Sequence, residues 1–139
     1  MAAVHEPVHA PHHPPTAARY SSAVRLPAGA EGSLLFISGQ VAKDDRGNPT
    51  AIGDPAAQTH VIFDLITDIL REAGGDLNNL VSVVIHLVNI ADLPSVSKVR
   101  NERLADPLPA STLVANVALA RPEFLVELTA TAFVPSRAT

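Results

Sequence analysis

The sequence predicts an α+β fold, a mixed β-sheet that carries its helices on one face. Three observations lead there. Segments of strand and helix character follow one another as strand, strand, long helix, strand, short helix, strand, strand. In the last strand Val126, Leu128, Ala130, Ala132 and Val134 alternate onto one wholly apolar face. A chain of 139 residues that is 47% hydrophobic and 17% charged supplies one packed core.

The first fifteen residues, MAAVHEPVHAPHHPP, hold four of the six histidines and four of the twelve prolines and show neither helical nor strand periodicity. Residues 1–16 therefore read as a flexible Pro/His-rich tail, and 17–139 as a single domain. His5, His9, His12 and His13 offer imidazoles to a metal, but Pro7, Pro11, Pro14 and Pro15 deny them a regular scaffold. Deleting such a tail is expected to leave the melting temperature nearly unchanged.

Tyr20 to Leu26 reads as a short strand running into a turn at Pro27, Gly29 and Gly32, and Leu34 to Val41 as a buried strand that turns abruptly small and polar. Gly39 in that strand marks either a bulge or a point where the backbone approaches a ligand closely. Asp54-Pro55 forms an N-cap with proline at the first helical position. From Ala56 to Ala73 the apolar Val61, Ile62, Leu65, Ile66, Ile69 and Leu70 recur at three- and four-residue spacing, which predicts a helix, and Gly74-Gly75 ends it. Leu80 to Val88 is a central strand. A second helix, capped by Asp92, runs through Val96, Val99, Arg103 and Leu104 until the prolines at 107 and 109 stop it. Ser111 to Val117 and Phe124 to Val134 are two further strands. In the last of these Glu127 lies off the apolar face, where solvent or a pocket can hold it.

Composition narrows the chemistry. With no cysteine there is no disulfide, thiolate metal site or cysteine nucleophile. A net charge of −4, without a Lys/Arg run or aromatic stacking cluster, makes nucleic acid a poor partner. No stretch approaches the ~18 uninterrupted apolar residues of a membrane span, and a basic-then-apolar leader is missing, so a soluble cytoplasmic protein is expected. A sheet with helices on one side leaves its other face bare, which calls for a second copy of the chain as cover.

Tyr20-Ser21, Phe36-Ile37-Ser38-Gly39-Gln40, Ala57-Gln58-Thr59 opening a helix, Asn101-Glu102, Pro109-Ala110-Ser111-Thr112 and Val126-Glu127 occur in an order and at separations that resemble the Rid family. These are the YjgF-like reactive-intermediate deaminases, also labelled translation inhibitors or endoribonucleases. The resemblance spans about Ala17 to Val134. It implies a chorismate-mutase-like α+β fold, a homotrimer, and a small-metabolite cleft at each subunit interface, with no metal or organic cofactor. It also implies hydrolysis of enamines and imines to a keto acid and ammonia, with Glu127 holding the attacking water and Tyr20, Ser38, Gly39 and Asn101 lining the cleft. An imine carbon is already electrophilic, so one positioned water and one proton relay suffice.

The chain departs from the deaminase pattern at one position: where those proteins carry an arginine that clamps the substrate carboxylate, it has Ser111. A neutral hydroxyl replaces a bidentate cation. Ser111 is therefore expected to set specificity, with 2-imino acids handled poorly and improved by Ser111→Arg. Arg25, Arg103 and Arg121 offer other routes to the cleft or are solvated surface arginines. The loss also supports a second reading, a trimer that binds a metabolite without turnover. Endoribonuclease action is a third, disfavoured by the acidic balance.

Overall fold

The computed structural model describes residues 4–14, 16 and 18–137. Six strands form one sheet: β1 (Glu6–Val8), β2 (Ala23–Pro27), β3 (Gly32–Gln40), β4 (Leu80–Leu87), β5 (Ala110–Ala115) and β6 (Val126–Pro135). Helices α1 (Pro55–Glu72) and α2 (Leu93–Arg103) flank β4 in the chain. The spatial order is β1-β2-β3-β6-β4-β5. All neighbours are antiparallel except β4 and β5, which are parallel because α2 carries the chain back across the sheet. The expected α+β class and mixed sheet are what the fold displays.

Local chemistry accounts for the elements. Asp54 accepts from the Ala57 amide at 2.9 Å, Pro55 follows it into the helix, and Gly74 adopts φ +91° just past the end of α1. The α1 stripe of Ile62, Phe63, Ile66, Ile69 and Leu70 is fully buried against Leu35, Ile37, Val83, Ile85 and the inward face of β6. Val96 and Val99 of α2 join the same core. Asp92 precedes α2 as expected, but its side chain caps nothing. Its backbone is already helical because the chain enters α2 through a one-turn 3-10 helix, where Asn89 accepts from the Ala91 amide.

The alternation along β6 holds throughout: Val126, Leu128, Ala130, Ala132 and Val134 are buried under the helices. Glu127, Thr129, Thr131 and Phe133 point the other way. Beside them on that open face stand Phe36 of β3 and Val84 of β4, paired with Thr131 and Thr129. Phe36 is 45% exposed there.

The tail departs from its sequence reading. Glu6–Val8 pairs antiparallel with β2, Val8 opposite Ala23, and Val8 and Ala10 are buried. His9 lies 3.4 Å from the Ser22 hydroxyl, and His13 lies 3.1 Å from Oε1 of Gln40. An edge strand is held by backbone hydrogen bonds and tolerates Pro7, so apolar periodicity gave no sign of it. Residues 1–3, 15 and 17, which include the expected domain boundary at Ala17, lie outside the described residues. Deleting residues 1–10 removes ~2 kcal/mol of side-chain burial and is expected to lower the melting temperature by roughly 5–10 °C. An unchanged melting curve would restore the tail reading.

Candidate functional site

Glu127 is built into place by the sheet. On one side its pairing partner is His86 of β4; on the other, β3 shifts register between Ile37 and Gln40, at Gly39. The bulge reading of Gly39 holds, and what comes close to its backbone is a side chain of the same chain. The strand bulges there, and a Cβ on residue 39 would collide with Oε1 of Glu127 and lie 2.9 Å from its Cδ. Glycine is what lets the carboxylate lie over the strand.

A cavity of about 210 Å³ opens at this point, lined by Tyr20, Gly39, Val41, Lys43, Arg121 and Glu127 among others. Tyr20 arrives from the segment before β2 and is 47% exposed. Lys43 follows β3 in a loop closed by its own bridge to Pro49 and by Asp44, whose Oδ1 accepts the Arg46 and Asn48 amides. Arg121 comes from the connection between β5 and β6.

One buried side chain fastens both loops. Gln58 of α1 is fully buried. Its Nε2 donates to the Glu123 carbonyl at 2.9 Å and to the Ala51 carbonyl at 3.4 Å, while its Oε1 accepts the Leu125 amide at 2.9 Å. The Ala57-Gln58-Thr59 motif thus fixes the approach to Glu127 from the helix side of the sheet. At the mouth of the cavity Arg121 donates to Glu123 at 3.2 Å. A hydrogen bond from its own backbone, and then Arg121, hold the Glu123 carboxyl below the usual carboxylate range.

The other candidates divide. Ser38 donates its hydroxyl to the Ser21 carbonyl at 2.7 Å, tying β3 to the segment that carries Tyr20. Asn101 and Ser111 lie elsewhere, in a second cavity of about 230 Å³ between α2 and the start of β5, together with Arg100 and Leu108. Register explains the separation. Ser111 pairs with the buried Val83 and shares its helix-side face, whereas Glu127 and His86 share the open face. Within one chain, therefore, Tyr20, Gly39 and Glu127 come together and Asn101 and Ser111 do not join them.

Of the three arginines considered from the sequence, Arg121 alone lines the Glu127 cavity. Arg25 donates to the Ala73 carbonyl at 2.7 Å, and Arg103 is held by Asp64 at 2.8 Å. Lys43, Arg100 and His86 were not singled out from the sequence. For His86 a signal existed, since alternation through Ser82, Val84 and His86 places it off the core face; its Nδ1 is buried without a hydrogen-bond partner. Among the described residues, no group of three or more His, Asp or Glu side chains is arranged around a metal position, and no helix is long and apolar enough to cross a membrane.

Comparison with known proteins agrees with this architecture. Residues 10–134 match the family described as endoribonuclease L-PSP. The chain is 32% identical over 121 residues to the 3-aminoacrylate deaminase RutC of Acinetobacter baylyi, covering 87% of this chain and 91% of that protein. It is 39% identical over 97 residues to the mitochondrial protein mmf2 of Schizosaccharomyces pombe, covering 69% and 71%. Among solved structures, RidA from the Antarctic bacterium Psychrobacter sp. PAMC 21119 superposes with a TM-score of 0.80 at 25% identity, covering 93% of this chain and 99% of that one. Sequence motifs, sheet order and the helix-side core all converge with these matches, and the chain belongs to the Rid/YjgF family, the endoribonuclease L-PSP family.

Proposed function

We propose that the protein is a hydrolytic deaminase of small enamines and imines, and that the Glu127 cavity is where the reaction occurs. The observation that carries this reading is the carboxylate of Glu127 seated over Gly39 in a cavity of about 210 Å³ that Tyr20 also lines, a size that suits a small metabolite. In the reaction, which an enamine enters as its imine tautomer, Glu127 passes one proton of the water to the nitrogen as the water adds to the C=N carbon, then carries the hydroxyl proton of the resulting carbinolamine to the nitrogen as the C–N bond breaks. An imino acid plus water becomes a keto acid plus ammonia, and no redox partner is required. The similarity to a 3-aminoacrylate deaminase supports this chemistry.

The working form is a homotrimer. Support comes from the bare sheet face around Phe36, Val84 and Phe133, and from the family resemblance. Sedimentation is expected to give three chain masses, and a monomer at micromolar concentration would remove this part of the account. In such an assembly Asn101 and Ser111 serve the cleft of a neighbouring copy, since their own chain places them on the other side of its sheet.

The test is turnover: 2-aminoacrylate, 2-iminobutyrate and 3-aminoacrylate are generated in situ, and ammonia and carbonyl product are followed. Acceleration above the uncatalysed rate is expected for at least one. No acceleration for any of them, with tight binding of the keto acid product, would favour the second reading, a metabolite-binding trimer without turnover. Ser111 in place of arginine is the feature that favours it.

A further inference from the structure

The Glu127 cavity has a charge pattern that water activation alone does not require. Lys43 and Arg121 line it from separate loops, so two basic residues and one carboxylate share the cavity. Arg121 is the better placed to grip an anion. Its side chain is 53% exposed, and Glu123 engages one Nη2, leaving other N–H donors of the guanidinium fork free to bind. Gln58 fastens the backbone on either side of Phe124, so the loop that carries Arg121 is held from the buried side.

We infer that Arg121, assisted by Lys43, anchors the carboxylate of the ligand in the Glu127 cavity, filling the role left open by Ser111. The ligand class is thereby narrowed to small carboxylates, and the inference runs against the sequence-based expectation that 2-imino acids are handled poorly. The inference rests on the proposed function only in seating the ligand beside Glu127.

Binding separates the two. The full-length protein is titrated with 2-oxobutanoate, a stable keto acid, and with its neutral analogue 2-oxobutanamide, by ligand-observed NMR. The parent is expected to prefer the acid. Arg121→Gln should weaken the acid by about ten- to a hundredfold and leave the amide unaffected, while Arg121→Lys, which keeps the charge and loses the fork, retains part of the affinity. Melting curves and assembly mass verify that the Gln variant is folded. Equal affinity of the parent for acid and amide, or unchanged acid binding in Arg121→Gln, overturns the inference. So does a loss confined to Arg100→Gln, which would put the anchor beside Ser111. Acid-selective binding that depends on Arg121, without any turnover, would sink the deaminase reading and leave this inference standing.

Discussion

Glu127→Gln is expected to cut turnover of the preferred imine by ~10²–10⁴-fold, the range contributed by a positioned general acid–base group. The amide keeps the volume and hydrogen-bonding capacity of the side chain but cannot take a proton from the attacking water. Because Glu127 is partly exposed on the open sheet face and outside the core, the melting temperature should move by no more than a few degrees. The keto acid should still bind, since its carboxylate is held by Arg121. An equally active variant would remove Glu127 from the chemistry, and a variant that fails to bind the keto acid would give it a binding role instead.

Gly39→Ala is expected to be nearly as damaging to activity, for a geometric reason. The added methyl needs the space that Oε1 of Glu127 occupies. Either the carboxylate is displaced from the cavity or the bulge in β3 opens, and overpacking of this kind costs about 1–3 kcal/mol. A displacement of 1 Å in a reacting group is enough for a ~10²-fold loss of rate. A double-mutant cycle isolates the cause. If the collision is with Glu127, then Gly39→Ala should lose most of its destabilising effect when Glu127 is already alanine. Additive effects would mean that the glycine is required for the backbone of the bulge alone.

The fold was legible in the sequence wherever burial imposed a period. The α1 stripe from Ile62 to Leu70 and the β6 alternation from Val126 to Val134 each serve one apolar interface, and their residues fell where the periodicity put them. The strand at Glu6–Val8 escaped because edge pairing is a backbone interaction that leaves no apolar pattern behind. Asp92 was read as a cap because its type suits one, whereas cap geometry depends on the φ and ψ set by the preceding turn. At the candidate site, the motifs name Tyr20, Ser38, Gly39, Asn101, Ser111 and Glu127 together, but do not say which of them share a cavity. That depends on register. A pairing of Ser111 with Val83 sends it to the helix side, and a pairing of Glu127 with His86 sends that residue to the open side. Arg121 and Lys43 lie in loops, where neither period nor propensity forecasts direction, and long-range bonds such as those of Gln58 hold the Arg121 loop in place.

The most direct test is a crystal structure of the protein grown with 2-oxobutanoate. This account places the ligand in the Glu127 cavity, its carboxylate within hydrogen-bond distance of the Arg121 guanidinium and its C2 carbonyl carbon facing the Glu127 carboxylate with room for a water between them. Electron density for the ligand beside Asn101, Ser111 and Arg100, with Glu127 and Arg121 of every subunit untouched, would contradict it.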